Sequence, residues 1–330
     1  MHSNSRVGAS LRFGILGCAD IAWRRMLPAL AAHPSTTVTA HASRSTDKAR
    51  KFAERFGGTP CTGYQALLER SDVDAVYIPL PNSHHYEWAA RALRASKHVL
   101  CEKPLTTDAR QTEELLELSE RHGVSLMENY AFEFHSMHAR ARELVDQGAV
   151  GELRHFSSAF TVPRRPEGDI RLRHDLGGGA MLDAAGYPLR AALHLLGPIE
   201  ILDVVPQQSG EIDVAGTVLA RTPSNVSVTL TYGLDHFYRA DYVFHGSTGR
   251  LSLDRVFTAP ADFEPTLRLS TRNGHQELTL AADDQVRHML TAFVASASAA
   301  RDAQRRATTS LHARLLDDIR AQRALREIEQ

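Results

Sequence analysis

The sequence predicts an α/β domain built on a doubly wound parallel sheet over residues 1–130. An α+β domain with a large, mainly antiparallel sheet follows over 131–300, and then a terminal helical segment over 301–330. Three observations carry this prediction. Up to Tyr130, short apolar runs alternate with segments of helical period, the grammar of a parallel sheet with right-handed crossovers. Beyond Tyr130, period-two alternation takes over, as in strands with one buried face. The 330 residues also exceed what one core of ordinary size uses, so two packed bodies are expected.

The elements follow in order. Leu11–Leu16 is short and mostly apolar, as a strand buried on both faces should be, and Ile21–Ala32 follows as a helix with Ile21, Met26, Leu27 and Leu30 on its apolar side. A strand over Thr36–Ala42 and a helix over Thr46–Phe56, closed by Gly57 and Gly58, make the next step. Ala66–Glu69 reads as a turn of helix, and Ala75–Leu80 as a strand ending among prolines. His85–Ala95 reads as helix, Val99–Glu102 as strand, Asp108–His122 as helix with Thr107 or Asp108 as its cap, and Ser125–Glu128 as strand. In the second body a helix over Ser136–Gln147 stops at Gly148. Val226–Tyr232 then places Val226, Val228, Leu230 and Tyr232 on one face of a strand and the hydroxyls of Ser227, Thr229 and Thr231 on the other. Ala240–His245 and Arg250–Asp254 read as a hairpin across Gly246 to Gly249. Helices over Asp284–Ala299 and Leu311–Arg326 close the chain, with the arginine-rich Arg301–Arg306 as a solvated connector.

Composition excludes several functions. With 38 basic and 39 acidic side chains, the formal charge of -1 offers no field for nucleic acid or an anionic membrane, so any anionic ligand needs a local cationic patch. The N-terminal stretch has no signal-like apolar core, and no segment reaches the ~20 apolar residues of a membrane span, so a soluble, cytoplasmic protein is expected. Cys18, Cys61 and Cys101, odd in number and without a CxxC spacing, argue against a disulfide framework.

Gly17-Cys18-Ala19-Asp20-Ile21-Ala22 follows a strand and opens a helix, the context in which backbone N–H groups approach a pyrophosphate. Ala19 occupies the position of the second glycine, so this turn alone leaves a ligand-free β-α connection open. The second strand ends in Ala42-Ser43-Arg44-Ser45, with no carboxylate for ribose hydroxyls. Hydroxyls and a guanidinium there suit a 2′-phosphate, with Lys48 as a second positive charge, so NADP(H) is expected over NAD(H); an ordinary helix-start cation is the other reading of Arg44. Glu102-Lys103-Pro104 sets an ammonium at the C-terminal edge of a parallel strand, facing the crevice where open α/β sheets bind ligands. If Met181–Leu196 is one helix, Asp183 and Tyr187 stand at i and i+4 and can reach one ligand together. His84, His85, His135 and His138 lack a third ligand in a suitable pattern, and no metal is expected.

Together these pieces resemble the Gfo/Idh/MocA superfamily, which includes glucose-fructose oxidoreductase and inositol dehydrogenase. The resemblance runs through Gly14 to Ile21, Ile78 to His85, Glu102-Lys103-Pro104, Phe134-His135 and Gly177 to Tyr187, essentially the whole chain. It implies a Rossmann domain, then a domain with an open-faced sheet, with the terminal helices returning to the first domain. It implies that Lys103 and Tyr187 flank the substrate carbon and that Leu80, Asn82 and His85 border the cofactor, with Glu102 beside them. The phosphate turn Gly17, Cys18, Ala19, Asp20 and Ile21 and the pair Ser43 and Arg44 complete the expected cofactor contacts. Glu133 and Ser136 stand where members often carry an arginine and a proline around a histidine, here His135. Ala19 to Pro28, with Glu128-Asn129-Tyr130, is most similar to sugar 3-ketoreductases of deoxysugar biosynthesis. Arg24, Arg25, Arg164 and Arg165 thereby become candidates for a substrate diphosphate, and Tyr130 for a substrate contact.

The expected reaction is hydride delivery from NADPH to the C-3 ketone of a dTDP-linked 3,4-diketo-2,6-dideoxy sugar. Lys103 stabilises the developing alkoxide and gives the proton; Tyr187 is the other donor, and Asp183 orients both. The alternatives are an NADP-dependent dehydrogenase of a free sugar such as xylose or of a dihydrodiol, and a nucleotide-sensing regulator without catalysis. The free face of the second sheet suggests a homodimer or homotetramer.

Overall fold

The computed structural model of the chain describes residues 10–210, 212–298 and 302–328. The residues before Ser10, the expected helix end at Ala299 and the connector residue Arg301 lie outside the described residues. Packing divides the chain into two units. Met1–Leu105, Glu113–Asn129 and Met289–Ala303 form one, and Thr106–Thr112, Tyr130–His288 and Gln304–Gln330 form the other.

The first unit contains a six-stranded sheet of β1 (Leu11–Leu16), β2 (Thr36–Ser43), β3 (Thr59–Thr62), β4 (Ala75–Ile78), β5 (His98–Cys101) and β6 (Leu126–Glu128). Its order is β3-β2-β1-β4-β5-β6 with every pair parallel. The order reverses between β1 and β4, so the strand ends there open the crevice in which such sheets hold ligands. All four residues of β4 and the last four of β1 are buried, which is why these strands read as unbroken apolar runs. The helices α1 (Leu27–Ala32), α2 (Thr46–Phe56), α3 (Tyr64–Leu68) and α4 (His85–Arg94) cross between strands, and α5 (Ala109–His122) leads into β6. Asp108 is the cap of α5, its Oδ1 accepting from the Gln111 N–H at 2.9 Å. The helix expected from Ile21 is divided, because Ala22–Met26 forms a π-helical turn ahead of α1. Strand β3 escapes the sequence reading: Thr-Pro-Cys-Thr is short and contains a proline, which an edge strand tolerates.

The second unit begins with α6 (Ser136–Asp146), and its sheet follows: β7 (Leu153–Thr161), β8 (Glu200–Ser209), β9 (Ile212–Arg221), β10 (Ser227–Gly233), β11 (Arg239–Gly246), β12 (Gly249–Asp254), β13 (Thr266–Thr271) and β14 (Gly274–Thr279). The order is β14-β13-β12-β11-β7-β10-β9-β8; only β7 and β10 run parallel. Val228, Leu230 and Tyr232 are buried while Ser227, Thr229 and Thr231 face outward, as their alternation predicts. The buried face packs against α7 (Gly186–Leu196), whose Leu189, Ala191 and Ala192 are fully buried.

Two helices close the chain, α8 (Gln285–Ser298) and α9 (Ala303–Ile328). The division falls inside α8: Met289, Leu290 and Phe293 are core residues, and Phe293 meets Phe13 of the first unit's β1 at 5.7 Å between ring centroids. Helix α9 packs in the second unit through Leu315, Leu316 and Ile319, and it also holds the Thr106–Thr112 segment, Asp317 accepting from the Ala109 N–H at 2.8 Å and Arg320 donating to the Thr107 carbonyl at 2.5 Å. Arg305 also departs from the solvated connector expected of it. It lies in α9 with its guanidinium 4.7 Å from the centre of the Phe134 ring.

Candidate active site

In the first unit, β1 runs into a turn that only glycine can make. Gly17 has φ +127°, and a Cβ there would fall 2.7 Å from the Leu80 side chain. Its N–H bonds the Ala42 carbonyl at 3.0 Å, holding the turn against the end of β2. A cavity of about 330 Å³ opens between Gly17, Cys18 and Ala19 on one side, Ser43, Arg44, Ser45 and Lys48 on another, and Pro79, Leu80 and Pro81 on a third. The expected phosphate turn and the expected discriminating residues after β2 thus share one cavity. The Ser43 hydroxyl oxygen accepts from the Ser45 N–H at 3.1 Å, and that of Ser45 accepts from the Lys48 N–H at 3.4 Å, capping α2. Each keeps its O–H proton to donate.

Tyr64 completes this cavity, and sequence reasoning missed it because nothing but a preceding Gly63 marks it. Burial raises the Tyr64 pKa, opposed by the adjacent Arg44 guanidinium. Burial likewise pushes the Cys18 thiol up to about 11, so it is neutral packing rather than a nucleophile. Asp20 is held by Arg24 at 2.5 Å, both side chains largely exposed, so Arg24 is already engaged; Arg25 is exposed.

The end of β5 is built from its neighbours. Oε1 of Glu102 accepts from the Tyr77 hydroxyl and from the Asn129 side-chain amide, each at 2.6 Å, which anchors this carboxylate beside β4 and the end of β6. Glu128, buried, accepts from the Leu105 N–H at 2.8 Å and fixes the chain just past the cis Lys103–Pro104 bond. His85 is fully buried, its Nδ1 2.7 Å from the Pro104 carbonyl oxygen and its Nε2 2.7 Å from that of Leu80. Both of its ring nitrogens face backbone carbonyls. Burial lowers its pKa, opposed by the two carbonyls and Glu102. The ring ties the segment after Lys103 to the cavity wall at Leu80. Among the described residues no three His, Cys, Asp or Glu converge as a metal site would require.

In the second unit, the Gly177–Tyr187 segment is not one regular α-helix. Met181–Ala185 is a π-helical turn and α7 begins at Gly186, so the shared face expected of Asp183 and Tyr187 from i, i+4 spacing does not apply as drawn. Asp183 meets the Nε of Arg171 at 3.0 Å, and Arg171 also holds Asp169. Tyr187 sits among aromatic rings, 4.4 Å from Phe160 and 5.4 Å from both Tyr130 and Phe257, measured between centroids. Gly186 is glycine because of Tyr130, since a Cβ would fall on the Tyr130 hydroxyl. Asp213 supports the start of this segment, accepting from the Met181 N–H at 2.5 Å and pairing with Arg323 at 3.2 Å.

The departures at Glu133 and Ser136 also have structural reasons. Glu133 and Arg190 form a buried pair with two bonds, Nε to Oε1 at 2.9 Å and NH2 to Oε2 at 3.2 Å. The Ser136 N–H donates to Asp283 at 2.9 Å, starting α6. Arg164 is exposed and pairs loosely with Asp235 at 3.6 Å, while the Nε of Arg165 is buried without a hydrogen-bond partner.

Residues 11–130 match the oxidoreductase family with an NAD-binding Rossmann fold, GFO/IDH/MocA, and residues 138–252 match the GFO/IDH/MocA C-terminal domain. The chain is 49% identical over 286 residues to a dTDP-3,4-didehydro-2,6-dideoxy-alpha-D-glucose 3-reductase from Actinomadura kijaniata, covering 86% of each. An enzyme of the same name from Saccharopolyspora spinosa is 48% identical over 286 residues, again 86% of each. The crystal structure of a 3-ketoreductase from Actinomadura kijaniata in complex with NADP and TDP-benzene superposes with a TM-score of 0.93 at 46% identity, covering 94% of this chain and 97% of that one.

Proposed function

The chain belongs to the Gfo/Idh/MocA oxidoreductase family, and we propose that it is an NADPH-dependent sugar 3-ketoreductase. It reduces the C-3 ketone of a dTDP-linked 3,4-diketo-2,6-dideoxy sugar. The observation that carries this reading is in the first unit. A cavity at the sheet's switch point offers Ser43, Arg44, Ser45 and Lys48 where a ribose-binding carboxylate would repel a 2′-phosphate, and a lysine stands at the end of β5.

These residues fit the cofactor. Gly17 itself brings no side chain to the turn that faces a pyrophosphate, the two serine hydroxyls can donate, and Arg44 with Lys48 supplies positive charge. Bound NADPH supplies the hydride. Lys103, held by the bonds around Glu102, Pro104 and Glu128, stabilises the negative charge that develops on the ketone oxygen and gives the proton. In a 3,4-diketone the neighbouring carbonyl shares that charge, which favours a cation over a neutral phenol as the principal group. Tyr187 hydrogen-bonds the sugar, and Asp183 with Arg171 fixes the turn that presents it.

The finer reading places the reaction in the assembly of a deoxysugar for an antibiotic and the enzyme in the cytoplasm, in keeping with three free cysteines. The outward face of β8 and β9, with Leu202, Val205 and Leu219 exposed, forms the contact of a homo-oligomer. The test is substrate choice. The account expects NADPH consumption with the dTDP-linked diketosugar and no NADP⁺ reduction with free xylose or a dihydrodiol; the reverse pattern would replace the substrate while leaving the family intact.

A further inference from the structure

Helix α9 does more than dock. Its apolar packing through Leu315, Leu316 and Ile319 is non-directional and leaves small slides and rotations cheap, whereas hydrogen bonds fix distance and direction. Asp317 and Arg320, one turn apart, are joined Nη1 to Oδ1 at 2.6 Å and together clamp the chain that leads into α5. Nη2 of Arg320 donates to the Thr107 carbonyl at 2.5 Å, and Oδ2 of Asp317 accepts from the N–H of Ala109, the first residue of α5, at 2.8 Å. The clamp thus takes one carbonyl and one N–H of the connector that continues from Lys103-Pro104-Leu105. The connector is braced internally as well, since the Thr106 hydroxyl donates to the Asp108 carbonyl at 2.7 Å and lies 2.6 Å from the Thr112 hydroxyl.

The same helix holds both ends of the turn that precedes Tyr187. At its start, Arg323 pairs at 3.2 Å with Asp213, whose carboxylate accepts from the Met181 N–H at 2.5 Å. At its end, Nε2 of His312 lies 3.1 Å from the Gly186 carbonyl. His312 and Arg323 are separated by about 16 Å of helix, with Asp317 and Arg320 between them, so one rod sets the connector after Lys103 against the turn that carries Asp183 and presents Tyr187. We propose that Asp317 and Arg320 are positioning residues for the reduction, holding the segment that continues from Lys103 in register with the Tyr187 turn. This rests on the ketoreductase reading above. Both side chains bond backbone, so they act on the reaction through the chain they hold rather than by touching the sugar.

The test is single-turnover NADPH oxidation with the dTDP-linked diketosugar, on variants shown to be folded by their Tm and with NADPH affinity measured on each. Arg320→Gln and Asp317→Asn are each expected to slow oxidation roughly 10- to 100-fold with NADPH affinity kept, the size of the loss when a reacting group is misplaced by about an ångström. Arg320→Lys keeps a cation for Asp317 and a donor for the Thr107 carbonyl, and is expected to recover most of the rate. Asp317→Asn, which removes only a charge, carries the test if Arg320→Gln does not fold. The deciding readout is the Lys103→Ala background, in which the same substitutions are expected to cost nothing further because the group they position is gone; a general loosening of the fold would slow both backgrounds by the same factor. A normal rate in either folded variant, or equal slowing in both backgrounds, overturns the proposal. A wild type that oxidises no NADPH with this sugar fails at the ketoreductase reading itself, a result distinct from either.

Discussion

At the scale of single residues, the site is made by close approaches that the sequence marks only once the structure supplies the partner. Gly186 was legible as part of a motif, but its reason, the Tyr130 hydroxyl lying where a Cβ would go, joins positions 56 residues apart. Gly186→Ala should cost about 1–3 kcal/mol by overpacking and lower turnover, and adding Tyr130→Phe should recover part of the loss, as read by denaturant unfolding. Glu133 was legible only as a departure from the family's usual residue. Its partner Arg190 is only 1% exposed, so Glu133→Gln leaves a buried guanidinium short of its counter-charge, and a loss of ~3–5 kcal/mol is expected. At the cofactor cavity, Arg44→Ala should weaken NADPH but not NADH, by roughly 10-fold or more for a lost charge-assisted bond. Equal weakening of both cofactors would show that Arg44 serves the adenine rather than the 2′-phosphate.

At the scale of elements, periodicity gave most of the long helices and strands β10, β11 and β12, because a 3.6-residue or two-residue repeat reports burial directly, but it did not mark the nine- and ten-residue strands β7, β8 and β9. It also failed where the period itself changes. Two of the motifs chosen for chemistry, the Gly17 turn and the Asp183–Tyr187 segment, run into π-helical turns, which no residue pattern announces. Helix α9 was read as starting at Leu311, yet it extends from Ala303, and Arg305 in its first turn lies over the Phe134 ring. Within α9, His312 is buried, with its Nε2 3.1 Å from the Gly186 carbonyl at the start of α7. Burial pulls its pKa from 6.5 down to about 3, so the folded protein holds this ring neutral while the unfolded chain protonates it below pH 6.5. Its contribution to stability is therefore complete above about pH 6.5 and is lost as pH falls from there toward 3. The expected outcome is a shallower decline of Tm with acid in His312→Gln than in the wild type; parallel curves would contradict it.

At the scale of the whole molecule, the two-body division and both sheet classes could be read from the change of grammar near Tyr130, because strand-helix alternation and strand-strand alternation bury apolar surface differently. If the exposed face of β8 and β9 is the oligomer contact, Leu219→Asp should reduce the subunit number in sedimentation without loss of fold, and an unaltered sedimentation coefficient would place the contact elsewhere. The central claim is that Lys103 drives reduction of a nucleotide-linked ketosugar by NADPH. Single-turnover NADPH oxidation with the dTDP-linked 3,4-diketo-2,6-dideoxy sugar tests it, with wild type and Lys103→Ala side by side and NADPH affinity measured on both. The account predicts oxidation by the wild type and a rate lower by ~10²–10⁴ in Lys103→Ala with NADPH still bound. A near-normal rate in Lys103→Ala would contradict it.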